Sequence, residues 1–374
     1  TACRKLTGSE TTMITIPHNL LLLGAGGFIG SHLAERLLST TDSQVVGVDL
    51  CSAKVEHLIG HERFTFLEMD VSDALAVRRL VQKSDAVVSL VALCNPSMYN
   101  TIPIDVIEAN FNRPYELVRT CAEEKKWLIH FSTSEVYGRT VSSLGVKGRG
   151  VSSYELSEDA SPLIMGPVHA QRWSYACAKQ LLERAIYAYG HEKGLAYTVV
   201  RPFNFVGPRM DYIPGIDGEG IPRVLACFID ALMFGKPLCL VDGGHSKRCF
   251  TYIDDAIDAM MCILQRPESA KGQVFNIGHP ANEVSIAQLA DMMIRLYREL
   301  RPEARWDAIE TRVVPSSEFY GQGYEDSDRR VPDTTKTREL LGWEPKTDLV
   351  DALRASMAAY IEHYSTEQVC RAAG

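Results

Sequence analysis

The sequence predicts an α/β protein with a parallel sheet wound on both faces, a doubly wound Rossmann architecture. Three observations predict it. Short all-apolar runs alternate with segments of helical periodicity through the first half of the chain. The first run, Leu20–Leu23, stops at a glycine-rich turn that opens a helix. The second run closes on an acidic residue, Asp49. Strands buried on both faces read as continuous apolar runs rather than alternating ones. Strand–helix alternation implies crossover units, and such sheets bind ligands at the carboxyl ends of their strands.

The elements follow in order. Leu20–Leu23 is the first strand, and Ser31–Ser39 carries Leu33, Leu37 and Leu38 at helical spacing. Val45–Asp49, Phe64–Met69, Ala86–Leu93 and Trp127–Ser132 are the next four strands. Val77–Lys83 and Tyr115–Lys125 are helical segments between them. A long helix is expected over Ser174–Lys193, then a sixth strand at Tyr197–Arg201. The second half changes character. Phe205–Gly220 is rich in Pro, Gly and Asp; short strands are expected at Leu238–Val241 and Phe275–Gly278, and Ile286–Leu300 is an amphipathic helix. Residues 140–157 are Ser/Gly-rich and read as a surface loop. Residues 1–19 read as a polar, irregular extension outside the fold, with Met13 a candidate start. The expected division is a nucleotide domain of 19–204 plus 247–277, and a discontinuous sugar-binding domain of 205–246 plus 278–364.

Composition bounds the function. With 374 residues the chain is long enough for two domains and a core that needs no staples. Hydrophobic residues at 46% and charged residues at 23% are globular values. The net charge of −8 argues against nucleic-acid and membrane partners. No apolar stretch reaches the ~20 residues of a membrane span. The ten cysteines form no C-x-x-C pair and no zinc-type cluster, so no metal is expected. Free thiols fit a reducing, cytoplasmic setting.

Gly24-Ala-Gly-Gly-Phe-Ile-Gly30 lies between the first strand and its helix, with glycines at 24, 27 and 30. A phosphate needs close backbone approach, and a helix N-terminus supplies free N–H groups and a positive dipole end. Gly24, Gly27, Phe28, Ile29 and Gly30 are therefore candidate cofactor contacts. Asp49 suits the two ribose hydroxyls of NAD and would repel the 2′-phosphate of NADP. Asp70, with Val71, is expected to flank the adenine. As plain residues, Asp49 is a helix cap and the glycines belong to an ordinary turn.

Tyr175-Ala-Cys-Ala-Lys179 sets a phenol and an amine on one helix face. A neighbouring cation lowers a phenol's pKa from about 10 and readies it for proton exchange. Thr133, after the fifth strand, can bond the same substrate oxygen. These residues together resemble the extended short-chain dehydrogenase/reductase family of nucleotide-sugar epimerases, dehydratases and decarboxylases. The resemblance covers roughly 20–360. It implies a bound NAD that takes a hydride from a sugar carbon and later returns it. Tyr175 would be the acid/base, Lys179 its pKa tuner and nicotinamide-ribose ligand, and Thr133 the third member.

Longer strings narrow the subgroup: HFSTSEVYG at 130–138, QRWSYACAKQLLER at 171–184, RPFNFVGPRMD at 201–211, IPGIDG at 213–218, IPRVLACF at 221–228 and GYEDSDRRVPD at 323–333. They resemble the plant UDP-apiose/UDP-xylose synthase family and, less closely, the UDP-glucuronate decarboxylase domain of bacterial polymyxin-resistance enzymes. The resemblance implies oxidation of UDP-glucuronic acid at carbon 4, loss of carbon dioxide from the β-keto acid, and re-reduction. Ser134, Glu135 and Arg330 would carry the decarboxylation. A carboxylate at Glu135 beside a substrate carboxylate implies repulsion, strain or a raised Glu pKa, with Arg330 as the matching cation. Tyr99, Arg172, Asn204, Arg223, Arg248, Tyr324 and Arg330 are candidate contacts to the nucleotide sugar. Each arginine also reads as an ordinary surface ion pair. Cys239 is a departure, because relatives commonly carry lysine there, near the nucleotide.

Apiose requires retro-aldol cleavage between carbons 2 and 3, and hence a base on a sugar hydroxyl. Cys94 aligns with a cysteine of the apiose synthases; its bland reading is a buried core thiol. The plant relatives carry a second cysteine where this chain has Ser134, which resembles the decarboxylase domain instead, and both kinds of relative favour threonine where it has Asn95, so the resemblance here is mixed. The function expected is therefore NAD-dependent conversion of UDP-glucuronic acid to UDP-apiose and UDP-xylose. Alternatives are a decarboxylase stopping at UDP-4-ketopentose or giving UDP-xylose only, a UDP-glucuronate 4-epimerase, and an NAD-binding protein without turnover. The resemblance also implies a homodimer through a four-helix interface.

Overall fold

The structure is a computed structural model and describes residues 16–139, 155–303, 309–321, 325 and 327–364. The extension expected at 1–19 falls largely outside the described residues, as do most of the expected loop at 140–157 and Tyr324.

The nucleotide half runs β1 (Asn19–Leu23), α1 (Phe28–Thr40), β2 (Gln44–Asp49), β3 (Phe64–Glu68), α2 (Ala74–Lys83) and β4 (Ala86–Ser89). It continues with α3 (Pro103–Ile107), α4 (Arg113–Glu123), β5 (Trp127–Phe131), β6 (Glu155–Leu156), α5 (Ser174–Lys193) and β7 (Tyr197–Pro202). Then come β8 (Phe205–Val206), α6 (Val224–Phe234), β9 (Leu238–Val241), β10 (Lys247–Cys249), β11 (Thr251–Tyr252), α7 (Ile253–Gln265), α8 (Pro267–Ala270) and β12 (Gln273–Ile277). The chain ends through β13 (Glu283–Ser285), α9 (Ile286–Leu300), β14 (Thr311–Val314), α10 (Ser316–Phe319), β15 (Arg329–Pro332), α11 (Thr335–Leu341) and α12 (Leu349–His363).

Seven parallel strands form the main sheet in the order β3-β2-β1-β4-β5-β7-β12. The order reverses between β1 and β4, and the crevice opens there. Successive residues of β1 point to opposite faces, and both faces are buried. Leu20 and Leu22 pack with Leu33 and Leu37 of α1; Leu21 and Leu23 pack with Val77, Val81, Leu117 and Leu182. That two-sided burial is why the strand reads as four leucines. Truncating a fully buried leucine such as Leu33 would cost ~2–5 kcal/mol.

Three boundaries differ from the sequence reading. β4 ends at Ser89 rather than Leu93, because its partners run out: Leu23↔Ser89 and Ser89↔His130 are the last pairs. Leu90 to Asn95 leave the sheet and carry Cys94 into the crevice. The expected Tyr115–Lys125 helix starts two residues earlier and follows a π-helical turn at Glu108–Asn112. Buried Asn110 pins that turn, donating to the carbonyls of Val106 (2.8 Å) and Leu93 (3.0 Å). Lys247–Cys249, placed by sequence with the nucleotide unit, pairs instead in a small sheet of order β13-β10-β15-β6. That sheet, the β14–β9 pair and α6 wall the far side of the crevice.

Candidate active site

The glycine turn is built for backbone contact. Gly24 has φ +93°, and a Cβ on Gly30 would lie 2.1 Å from the Gly24 carbonyl. Gly26, outside the spaced triplet singled out by sequence, is equally constrained: its Cβ would lie 1.9 Å from the Cys51 carbonyl. α1 starts after Gly27 with no side-chain cap and no acid in its first turn. The N–H groups of Phe28, Ile29 and Gly30 are thus presented to an anion. Asp49 ends β2 and accepts from the Leu50 N–H at 2.7 Å. Burial pushes its carboxyl above the ordinary value, and the N–H groups of Leu50, Gly26, Cys51 and Gly27 pull it back. Asp49 and the turn are therefore one unit. Asp70 is exposed and accepts from the Ser72 N–H at 2.8 Å. Those Ser72 bonds hold its carboxyl below the ordinary range. The neighbouring cavity of about 270 Å³ is lined by Val71 and Ser72 rather than by Asp70 itself. Cradle, helix terminus and carboxylate fit a dinucleotide.

A cleft of about 750 Å³ runs from this turn into the second half of the chain. Tyr175, Lys179, Thr133, Ser134, Glu135, Cys94, Tyr99, Arg172, Asn204, Arg223, Arg248 and Arg330 all line it. Residues far apart in sequence thus converge on one space.

Tyr175 and Lys179 lie on the buried face of α5. The Lys179 ammonium donates to the Phe131 carbonyl at the end of β5 (3.0 Å). Burial lowers its pKa to about 8, while Cys94 and Glu183 pull upward. The sequence argument expected Tyr175 to be lowered. Burial wins instead and pushes the phenol well above its ordinary value, with Cys94 and Glu135 adding to it. The hydrogen bond with Thr133 and the charge of Arg223 act the other way. Tyr99 stacks on Tyr175 with centroids 5.0 Å apart and planes 10° apart.

After β5 the chain turns through Ser134–Tyr137, with Thr133 as cap: its hydroxyl accepts from the Glu135 N–H at 3.1 Å. That turn aims Glu135 at two guanidinium groups. Arg172 binds it bidentately at 2.6 and 3.0 Å, and Arg330 stands at 3.6 Å. The repulsion expected around Glu135 is thus countered inside the protein, because two buried cations face it. Arg172, grouped by sequence with nucleotide contacts, is a partner of Glu135; its guanidinium also stacks at 5.4 Å over Tyr99 and over Trp173. Arg330 and Arg248 are direct neighbours on parallel strands β15 and β10, both buried.

Cys94 is exposed to the cleft, so the reading as a buried core thiol does not hold. Asn95 caps the next turn, its side-chain oxygen accepting from the Ser97 N–H at 3.1 Å. Asn204 adopts φ +41° and donates to the Cys249 carbonyl at 3.0 Å. Arg223 caps α6 and is held by Asp211 (3.1 Å) and the Met210 carbonyl (2.9 Å).

Sequence reasoning missed a buried chain behind the site. Arg201 binds Glu183 bidentately at 3.0 and 2.6 Å and donates to the Tyr137 hydroxyl at 2.8 Å. Tyr137 donates in turn to Asn276 at 2.8 Å. Glu183 falls one turn after Lys179, which was the available signal. His130, under Lys179, is kept neutral by burial and by that ammonium. Among the described residues no cluster of metal-ligating side chains occurs.

Fold and site together define a nucleotide-sugar enzyme using NAD, and the chain belongs to the NAD dependent epimerase/dehydratase family, whose model matches residues 20–278. It is 48% identical over 355 residues to UDP-D-apiose/UDP-D-xylose synthase 1 of Arabidopsis thaliana, covering 91% of this chain and 90% of that protein. Identity to the corresponding synthase of Oryza sativa subsp. japonica is 47%, over 91% and 88%. Among solved structures, the PbgP3 protein of Burkholderia pseudomallei matches with TM-score 0.80 and 38% identity, over 95% and 98% of the two chains. UDP-glucuronic acid 4-epimerase of Bacillus cereus, crystallised with UDP-glucuronic acid and NAD, matches with TM-score 0.75 at 24% identity over 92% and 100%, a likeness of fold.

Proposed function

We propose that this enzyme converts UDP-glucuronic acid through a 4-keto intermediate to UDP-apiose and UDP-xylose. The observation that carries it is the meeting of the Tyr175–Lys179 pair, the Glu135–Arg172–Arg330 cluster and the Cys94 thiol in one cleft. The relatives of about 48% identity that carry the synthase name support it.

NAD, when bound, supplies the hydride acceptor for carbon 4 and the donor for the return. Gly24, Gly27, Phe28, Ile29, Gly30, Asp49 and Lys179 would hold it, with Asp70 beside the adenine. Once deprotonated, Tyr175 takes the proton of the 4-hydroxyl, its phenolate favoured by the Thr133 hydrogen bond and the charge of Arg223. Its raised pKa keeps the phenol neutral afterwards, ready to return a proton to O4. Thr133 aligns the same oxygen. Arg330 and Arg172 orient the substrate carboxylate against Glu135. The bond from carbon 5 to the carboxylate breaks, carbon dioxide leaves, and the electron pair passes to the ketone. Glu135 or Ser134 then directs a proton to carbon 5. For the ring contraction, Cys94 removes a sugar hydroxyl proton as the bond between carbons 2 and 3 breaks. Asn204, Arg223, Arg248, Tyr99 and Tyr324 would hold the rest of the substrate. The division into a nucleotide domain and a discontinuous sugar domain serves this placement.

A homodimer belongs to the same proposal. α5 and its neighbour α3 present Ile104, Ile107, Leu181 and Tyr187 to solvent, 74%, 41%, 50% and 65% exposed. Such a helical apolar face suits a second copy of the chain. Leu181→Arg should yield monomers in sedimentation; an unchanged mass would move the interface elsewhere. No described helix is long and apolar enough to cross a membrane. A cytosolic site of action is part of the proposal, and fractionation of cells tests it.

The test of function is NMR of products from carbon-labelled UDP-glucuronate. Branched apiose, xylose and labelled carbon dioxide are expected. Epimer without carbon dioxide, or stoichiometric reduced cofactor with a ketopentose, would overturn the reading.

A further inference from the structure

Three stretches of chain carry the carboxylate-handling cluster. Glu135 sits in the turn Ser134–Tyr137, Arg172 in the turn Gln171–Trp173, and Arg330 on β15. One further side chain ties all three together. Glu325 lies five residues before Arg330. Its Oε2 accepts from the Trp173 indole N–H at 3.1 Å and stands 3.5 Å from the Arg139 guanidinium. Trp173 adjoins Arg172 in sequence, and Arg139 follows the turn of Glu135 by two residues.

The contact is enclosed. Trp173 is 3% exposed. Gly166 packs its backbone on the hydrogen bond itself: a Cβ there would lie 2.2 Å from the indole nitrogen and 2.8 Å from the Glu325 Oε2. The Arg139 N–H donates to the Ile164 carbonyl at 2.7 Å, which ties the same stretch to the turn that carries Glu135. An ion pair as exposed as Arg139–Glu325, at 35% and 29%, adds little stability. Its consequence is therefore placement. The indole that Glu325 fixes is a platform for Arg172, whose guanidinium lies 5.4 Å from the ring centroid. Arg172 in turn holds Glu135 bidentately.

We propose that Glu325 is a positioning residue for the loss of carbon dioxide. It orients the Trp173 ring, the ring orients Arg172, and Arg172 sets Glu135 against the substrate carboxylate. Glu325 is not among the residues that line the cleft, so it acts only through these neighbours. Misplacing a reacting group by about 1 Å can cost ~10²-fold in rate, so a loosened Arg172 slows this step selectively. The inference rests on the reading of the reaction as decarboxylation of UDP-glucuronic acid and adds a residue that tunes that one step.

The test uses the intact, NAD-loaded protein and UDP-glucuronate labelled with heavy carbon in the carboxyl group or with deuterium at carbon 4. Glu325→Leu should release carbon dioxide about tenfold more slowly. Glu325→Gln keeps an acceptor for the indole and should stay within about threefold of wild type. Trp173→Phe keeps a ring under Arg172 but lacks the N–H, so it should resemble Glu325→Leu. The double variant should be no slower than either single one, because both cut the same link. In the slow variants the carbon isotope effect should rise and the deuterium effect should fall, because breaking the bond from carbon 5 to the carboxylate has become the slow step. Carbon dioxide release by Glu325→Leu within about twofold of wild type overturns the assignment. So does slower release with both isotope effects unchanged, which is what a merely structural loss would give. Additive losses in the double variant overturn the link through the indole. Wild type that turns UDP-glucuronate over without releasing carbon dioxide would instead strike the functional reading, and this inference with it.

Discussion

Arg172→Met removes the guanidinium that holds Glu135 while keeping an apolar stem of similar length. The wild-type bond is bidentate, at 2.6 and 3.0 Å, and the side chains are 2% and 15% exposed. Removing one partner of a buried pair costs ~3–5 kcal/mol, because the other charge is left without compensation. The low end applies here, since Glu135 keeps some exposure and Arg330 remains at 3.6 Å. An unfolding entropy of about 2.1 cal/mol/K per residue over 374 residues gives about 0.8 kcal/mol/K. A loss of ~3 kcal/mol thus lowers Tm by about 4 °C. Scanning calorimetry measures it. The double variant Arg172→Met with Glu135→Gln should recover part of the loss, because the Glu135 charge is then no longer left without Arg172, although Arg330 stays charged beside it. Single variants within ~1 °C of wild type, with additive effects, would refute the view that this is a buried, mutually compensated pair.

Other outcomes follow from the same geometry. Tyr175→Phe should keep NAD binding, seen by fluorescence titration, and lose ~10²–10⁴ in turnover, the usual worth of a positioned acid/base; near-wild-type turnover would remove Tyr175 from the chemistry. Cys94→Ser should lower the apiose share of the products while carbon dioxide release continues; an unchanged apiose-to-xylose ratio would return Cys94 to a passive wall. Lys179 has a pKa lowered to about 8, below its unfolded value, so its ammonium is present at lower pH and lost as pH rises through about 8. The pH–rate profile should therefore fall on its alkaline side near pH 8, and Lys179→Arg should move that limb upward; an unmoved limb would assign the titration to another group. By linkage, the cost of burying the ammonium is borne below about pH 8 and relieved at higher pH.

The sequence by itself determined the sheet, the glycine turn and the Tyr175–Lys179 pair. Those features are local: four leucines in a row need a strand buried on both faces, and i,i+4 spacing on a helix sets the catalytic pair side by side. Ser174–Lys193 and Ile286–Leu300 were legible to the residue for the same reason. Gly26 was not singled out, because its constraint comes from Cys51, just past the end of the neighbouring strand β2. Only the tertiary structure decided which charges meet. Arg172 and Arg330 both stand more than 30 residues after Glu135, and nothing in their local sequence distinguishes an ion-pair partner from a phosphate ligand. Burial decided the direction of the Tyr175 shift, since desolvation depends on everything packed around the phenol and outweighs one neighbouring cation. The same holds for Cys94, where the sequence allowed a core thiol or a cleft thiol. The early end of β4, forced by the loss of strand partners, put it in the cleft.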